Sequence, residues 1–233
     1  MNRSNVFMAS LMSLSFSPVM ATELSTNLGA TSDYRWRGQS LSAGDPALQA
    51  GINADFSNGL FVGAWASNLD YGGDESVETD FWLGYSNNLS ADIDYSVSLI
   101  SYQYLGSHDV AGFEELLLGL SGFGLDVSYY FTNDMSGLGD ISHYISVNYS
   151  YQIMEKYSID LHAGRNWGNY WSNWDIGAYT DMSVGLSTQV MGIDISLAYL
   201  FNDINTEMKV DSGVFRNDNH LLLSINKSFN FTL

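Results

Sequence analysis

The chain contains no cysteine, only 2 prolines and only 8 Lys and Arg residues among its 233 residues. Without cysteine it forms neither disulfides nor thiolate metal sites. Its 26 acidic residues outweigh the few cations, and the formal net charge is −18. A chain so poor in cations cannot replace the counterions around a phosphate backbone, so we exclude nucleic acid as a partner.

Long apolar runs are also missing beyond the N-terminal segment. No later stretch reaches the roughly 18 consecutive apolar residues that predict a transmembrane helix. Disorder is excluded as well, because 45% of the residues are hydrophobic and 14% are aromatic. If this chain spans a membrane, it must do so as a closed β-barrel. The lipid interior provides no water, so every backbone N–H and C=O group has to be hydrogen-bonded within the protein.

The N-terminal segment has the order of features that a secretory signal peptide requires. Arg3 provides a basic start, residues 6–16 are mostly apolar, and Ala21 precedes the expected cleavage point. A buried N-terminal helix is the alternative. We predict a signal peptide at 1–21 and a β-barrel domain at 22–233.

Apolar and polar residues alternate with a period of two along most of the chain, which is typical of β-strands with one apolar and one polar face. The pattern predicts an all-β fold: a single transmembrane antiparallel up-and-down β-barrel of about twelve strands. The facing of 60–69 is ambiguous, and 92–105 suggests a bulge after Leu99. The predicted strands are 24–37, 47–56, 60–69, 77–86, 92–105, 112–121, 123–132, 140–152, 156–166, 174–188, 192–202 and 219–233.

The connections between these strands alternate between short and long, as in outer-membrane barrels with short periplasmic turns and longer external loops. The longest connection is 203–218. Aromatic residues also cluster at predicted strand ends, among them Tyr34, Trp36, Tyr102 and Tyr104. We therefore expect these rings in the two aromatic girdles of a membrane barrel.

Two sets of polar residues are predicted to face the lumen. A ring of carboxylates near the periplasmic mouth would concentrate cations; the alternative is that they are simply hydrated lumenal side chains. Its members are Asp55, Asp94, Asp126, Asp160 and Asp194. A polar cluster at the outer mouth would brace or narrow the barrel, and its members are Asp33, Arg35, Arg37, Asn68, Asp70, Glu78 and Asp80.

Catalytic and metal sites have little support in the sequence. His143 is predicted at the outer rim with no serine two residues away, and His162 follows Asp160 on one face without a nucleophile. Residues 70–75 and 203–218 are rich in oxygen ligands but lack the spacing of a calcium loop. We predict no catalytic residues, no metal and no cofactor.

Three short segments resemble a known family. They are Ser-Asp-Tyr-Arg-Trp-Arg-Gly-Gln-Ser at 32–40, Pro-Ala-Leu-Gln-Ala-Gly at 46–51 and Gly-Ala-Trp-Ala-Ser-Asn-Leu-Asp at 63–70. These segments are similar to those of the TorF family of proteobacterial porin-like proteins, also called the Gcw_chp family. The resemblance implies an outer-membrane barrel and brings no catalytic residues and no established solute.

These patterns together favour an outer-membrane, porin-like channel for passive passage of small solutes, with a preference for cations. Its expected neighbours are outer-membrane lipids and lipopolysaccharide, reached by export through the signal peptide. A non-conducting structural or adhesive barrel is the main alternative, and a lipid-modifying enzyme is a weaker one. The sequence leaves the oligomeric state undetermined.

Overall fold

The structure is a computed structural model that describes residues 21–70, 76–106, 111–211 and 213–233. The predicted signal peptide lies outside the described residues except for Ala21. Residues 71–75 of the first acidic loop lie outside them too.

Twelve antiparallel strands close into one barrel, which confirms the predicted fold class. Each strand pairs with its neighbours in the chain, and the first barrel strand closes the barrel by pairing with both the second and the last barrel strands. The barrel strands are β1 (Ala21–Thr31), β4 (Ala47–Phe56), β5 (Leu60–Leu69), β6 (Ser76–Ser90), β7 (Ile93–Leu105), β8 (Phe113–Gly122), β9 (Leu125–Met135), β10 (Asp140–Met154), β11 (Tyr157–Trp167), β12 (Tyr179–Val190), β13 (Ile193–Asn202) and β14 (His220–Thr232).

The remaining elements are short and lie in the connections. A two-stranded hairpin is formed by β2 (Arg35–Trp36) and β3 (Gln39–Ser40), outside the barrel sheet. A helix, α1 (Asn169–Asn173), follows β11, and a single 3₁₀ turn covers Thr206–Met208. Among the described residues, no helix is both long enough and apolar enough to cross a membrane.

Strand alternation gives the barrel an apolar outside and a polar inside. Large hydrophobic side chains such as Leu83, Leu99 and Leu116 are exposed on the outer face. In β5, Leu60 and Val62 point outward while Trp65 lines the lumen, which settles the facing that the sequence left open. A belt of exposed apolar side chains on a closed barrel is what contact with lipid requires.

One predicted irregularity is wrong. The pairing of β7 with β6 and β8 continues without a shift through Leu99, so there is no bulge at that point. Tyr102 and Tyr104 consequently face inward, and Tyr102 is buried. They are part of the lumen and not of an outer aromatic girdle.

The two ends of the barrel differ in their connections, as the sequence predicts for the described parts. At one end, the turn end, two-residue turns such as Phe123-Gly124 and Met191-Gly192 have positive φ at both positions. This is the turn conformation that matches the twist of paired strands. At the other end, the loop end, lie the long connections 32–46, 168–178 and 203–219.

The main error in the predicted boundaries is at the loop end. β1 ends at Thr31 instead of continuing to residue 37, and residues 32–46 turn into the barrel; we call this segment the inward loop. Similarly, β12 begins at Tyr179 and not at residue 174, because α1 and the residues after it occupy that stretch. Side chains of the barrel wall decide the path of the inward loop, as described below.

Candidate functional site

The inward loop crosses the lumen near the loop end. Tyr34 packs edge-on against Trp65 of β5, with ring centroids 5.4 Å apart. On the far side, the Tyr179 hydroxyl of β12 donates a 2.9 Å hydrogen bond to the Arg37 carbonyl and accepts one from Gln39. Because β5 and β12 lie almost opposite each other in the barrel order, one short hairpin spans the interior.

A tight turn carries the tip of this hairpin. Arg37 and Gly38 connect β2 to β3 and have φ values of 48° and 82°. A Cβ atom on Gly38 would lie 2.9 Å from the Cβ of Asp181, so glycine is needed for the close approach as well as for the backbone angle. Left-handed backbone is uncommon for residues other than glycine, so this conformation of Arg37 costs free energy that other contacts must offset.

The side chain of Arg37 is enclosed by a carboxylate and three rings. Its Nη2 atom lies 2.6 Å from Oε2 of Glu115, and both side chains are buried. The guanidinium carbon is 4.2 Å from the Trp36 ring centroid, 4.5 Å from that of Tyr144 and 5.1 Å from that of Tyr130. Charge pairing and cation–π contacts therefore offset the cost of burying this cation.

A second ion pair holds the base of the inward loop. Asp33 is fully buried, accepts hydrogen bonds from the hydroxyls of Ser40 and Ser42, and pairs with Arg35 Nε at 2.5 Å. Arg35 also reaches Asp218 at 3.2 Å, and its Nη1 donates to the carbonyl of Arg216. The inward loop is thus tied to the long connection 203–219.

Electrostatics also order that long connection. Partial burial raises the pKa of Asp218, but hydrogen bonds from Arg216 and Arg35 outweigh this and hold the pKa below its usual range. Arg216 forms a two-pronged contact with Asp218, with distances of 2.6 and 2.8 Å. Such paired hydrogen bonds fix orientation as well as charge.

The predicted outer-mouth cluster is brought together only in part. Asp33 and Arg35 pair as neighbours, whereas Arg37 extends to Glu115, a residue outside the predicted set. Asn68 is exposed on the opposite face of β5, where its amide accepts from the backbone of Leu48 and donates to that of Pro46. Asp70 contributes its backbone N–H to the carbonyl of Leu41 in the inward loop.

Glu78 and Asp80 of the same predicted set do face the lumen on β6. Asp80 lies between Trp65 and Tyr102 in the strand register, and Glu78 lies between Ser67 and Tyr104. Glu78 is fully buried and hydrogen-bonds with the hydroxyls of Tyr34 and Tyr104. Neither carboxylate pairs with an arginine in the described part of the chain.

A third polar network lies on the opposite wall. The Tyr144 hydroxyl donates to Asp181 at 3.0 Å, and His162 Nε2 lies 3.3 Å from the same carboxylate. The other ring nitrogen of His162 is 2.7 Å from the Asn148 amide oxygen. His162 faces the lumen as expected, but its acidic partner is Asp181, while Asp160 bonds with Ser150 instead.

His143 lies outside the barrel near the loop end. Its ring stacks on Trp167 at 5.1 Å and its Nδ1 atom lies 2.8 Å from the Tyr129 hydroxyl. Together with Phe131 these residues form an aromatic patch on the lipid-compatible face. The contacts explain this histidine as part of a girdle.

The five aspartates of the predicted ring all lie at lumen-facing positions toward the turn end. Asp94 and Asp126 share the register partner Ser121, so these two are close neighbours. The other three are spread around the wall, each beside a polar side chain. The observed donors are Asn53 to Asp55, Asn88 to Asp94, Ser150 to Asp160 and Gln189 to Asp194.

Below the inward loop the lumen opens into a cavity of about 510 Å³. Polar groups from several strands line it, among them Gln49, Asp80, Asn148 and His162, beside the rings of Trp65, Tyr102, Tyr130 and Tyr144. The loop end above it is filled: Ser40, Glu115 and Asn166 are fully buried. Among the described residues no group of His, Cys, Asp and Glu could hold a metal ion.

A closed antiparallel barrel with an apolar outside and a polar, partly filled lumen has the architecture of the transmembrane β-barrel class. The sequence profile of the Gcw_chp family, described as bacterial protein of unknown function, matches residues 16–229. The chain belongs to the Gcw_chp family, which confirms that resemblance. No curated protein matches the sequence.

Solved structures share the barrel at low sequence identity. The NanC porin is 12% identical over 90% of this chain and 99% of its own, with a TM-score of 0.52. The KdgM porin is 8% identical over 91% and 99%, with a TM-score of 0.49. OprD of Pseudomonas aeruginosa, an outer-membrane protein, is 9% identical over 90% and 65%, with a TM-score of 0.40. The likeness to the NanC porin concerns the fold.

Proposed function

We propose that this protein is an outer-membrane channel for passive passage of small solutes, with a preference for cations and a constriction formed by the inward loop. The observation that carries the proposal is the polar cavity of about 510 Å³ inside a closed, externally apolar barrel. Side chains can fill the interior of a barrel of roughly eight strands, and a barrel of twelve strands is wider than that. Sharing its fold with a porin is consistent with this function.

Cation preference is supported by the balance of charge in the lumen. The turn end carries Asp94, Asp126, Asp160 and Asp194 at inward positions, and no arginine or lysine occupies an inward position of the described barrel strands. Carboxylates that line a narrow aqueous passage raise the local concentration of cations and repel anions. The two buried arginines of the inward loop are each paired with a carboxylate.

The proposal includes the surroundings of the barrel. Export by the signal peptide would deliver it to the outer membrane of a Gram-negative cell, where the exposed leucines contact lipid and the long connections meet lipopolysaccharide. We propose no enzymatic role and no nucleic-acid partner. The contacts of His143 and His162 described above give each histidine a structural role.

A second candidate is a non-conducting barrel. It is favoured by the filled loop end, where Asp33, Ser40 and Glu115 have no exposed surface. In that case the inward loop would be a permanent plug that adds internal contacts to the barrel.

Single-channel recording on the refolded full chain in planar bilayers separates the two candidates. Discrete current steps with a cation-selective reversal potential in a salt gradient support the channel. Asp94→Asn combined with Asp126→Asn, Asp160→Asn and Asp194→Asn is expected to move that potential toward zero. The matched control is Asp175→Asn, an exposed loop-end residue with φ of 60°, which asparagine tolerates.

Protein that is folded by circular dichroism yet electrically silent would overturn the channel in favour of the closed barrel. Current steps whose selectivity the fourfold variant leaves unchanged would keep the channel and reject the turn-end aspartates as its filter.

A further inference from the structure

Three inward-facing carboxylates lie on neighbouring strands of one side of the lumen: Glu78 and Asp80 on β6 and Glu115 on β8. Glu115 is paired with Arg37, but Glu78 and Asp80 have no such partner among the described residues. Oε2 of Glu78 and Oδ1 of Asp80 are buried and accept no hydrogen bond from any residue that the structure describes. Buried oxygens of this kind are costly unless a partner satisfies them, so the cluster has unused capacity for a positive group.

Asp80 is the member of this cluster that a solute can reach, because it lines the central cavity. Its register neighbours on both sides are aromatic: Trp65 on β5 and Tyr102 on β7. Directly opposed side chains on neighbouring strands have Cβ atoms roughly 5 Å apart. A carboxylate is therefore flanked by two rings whose faces attract cations.

One side chain of the protein is itself an organic cation bound by a carboxylate and aromatic rings. One strand further along, the Arg37 guanidinium sits on Glu115 and against the rings of Trp36, Tyr130 and Tyr144. This shows that the lumen can hold an organic cation by one carboxylate and several rings. Around Asp80 the cavity wall has the same combination of a carboxylate and rings, and no arginine or lysine of the described ranges pairs with that carboxylate.

We propose that the cavity binds small organic cations that carry an ammonium or guanidinium group, with Asp80 as the anchoring carboxylate and Trp65 and Tyr102 as aromatic walls. The inference rests on the proposed channel and names its substrate class. A volume of about 510 Å³ suits a small molecule. A hard metal ion such as Ca²⁺ is disfavoured, because it needs about six to eight oxygen ligands and the walls here are rings.

Isothermal titration calorimetry on the full chain, refolded in detergent micelles, tests the site without requiring conduction. The probe is agmatine, which has an ammonium at one end and a guanidinium at the other. The neutral comparison is 1,4-butanediol, for which we expect no measurable heat. Asp80→Asn is expected to weaken agmatine binding about tenfold, as loss of a charge-assisted contact does.

The matched control is Asp175→Asn, which neutralises an exposed loop-end aspartate that does not line the cavity and is expected to leave agmatine binding within about twofold of the original. Trp65→Phe keeps a ring in place and is expected to weaken binding about threefold. It provides a second test should Asp80→Asn fail to fold.

The outcomes distinguish this inference from the channel itself. Absence of agmatine binding by folded protein, equal loss in Asp80→Asn and Asp175→Asn, or butanediol binding as tightly as agmatine would each overturn the cation site. Agmatine binding in a barrel that is silent in bilayers would keep the site and overturn the channel.

Discussion

Arg37 and Glu115 are 78 positions apart in the chain, and yet Nη2 of the first lies 2.6 Å from Oε2 of the second inside the barrel. The pair joins the tip of the inward loop to β8, and the Tyr102 hydroxyl donates a further 3.0 Å hydrogen bond to the same carboxylate. The inward loop is therefore held in place at its tip and not only by its two ends. The position of the inward loop therefore depends on two buried charges that neutralise each other, Arg37 in the loop and Glu115 in the wall.

Removal of one partner of this pair should destabilise the protein more than removal of both. Arg37→Met leaves Glu115 buried without its cation and is expected to lower the free energy of unfolding by about 3–5 kcal/mol. In the double variant with Glu115→Leu, we expect a clearly smaller loss. Urea titration followed by tryptophan fluorescence in lipid vesicles measures this, and strictly additive effects of the two substitutions would show that the pair is not coupled.

Gly164 on β11 should not tolerate a side chain, because its position is covered by Tyr144. A Cβ atom there would overlap with the Tyr144 hydroxyl, which contacts Asp181. Gly164→Ala is expected to cost about 1–3 kcal/mol through overpacking, measured by the same titration. Gly29→Ala, where the nearest atom is a carbonyl oxygen at 3.4 Å, serves as the control. Equal losses at the two sites would reject the steric explanation.

Acidification should loosen the connection 203–219 from the inward loop. The lowered pKa of Asp218 in the folded state means that its contribution to stability is complete above the usual value near 4 and is lost as the pH falls through the folded value. Limited proteolysis with pepsin, as the pH is lowered from 5 to 2, is expected to cleave this connection first. In Asp218→Asn, cleavage of the connection should no longer depend on pH across that range. If the variant keeps the pH dependence of the original protein, Asp218 is excluded as the cause.

The outer face should respond to charge according to depth if it contacts lipid. Leu83 lies in the middle of β6 and is 60% exposed, whereas Leu60 begins β5 beside a turn-end connection. Leu83→Arg is expected to cost about 2–4 kcal/mol in vesicles, and Leu60→Arg at most about 1 kcal/mol. Equal costs for the two arginines in vesicle titrations would argue against a membrane-spanning belt.

The strands were predictable because their pattern is local. Alternation of apolar and polar residues follows directly from a wall with lipid on one side and a polar interior on the other, and it placed most of the twelve strands within a few residues. The short turns at the turn end were predicted to within about two residues. The predicted strands meet at residue 122, whereas the turn is formed by Phe123 and Gly124, whose positive φ values suit two tightly paired strands.

One feature of the sequence points to Glu115 as a candidate partner for Arg37. Glu115 stands at an inward position between Phe113 and Leu117, where an isolated charge needs compensation. Asp181 stands at a similar inward position on β12. Neither residue was singled out from the sequence, because alternation says which face a residue occupies and not which residue it meets across the lumen.

What the sequence determined by itself is the barrel: its class, its strands and, for most strands, which faces are apolar, since these depend only on the order of residues along each strand. What only the tertiary structure decided is the path of residues 32–46. The alternation of residues 32–37 also suits a continued strand. The segment became an inward loop because the closed wall offers Glu115, Tyr179 and Trp65 as partners from different sides. Contacts across a lumen join residues far apart in sequence, and no local period records them.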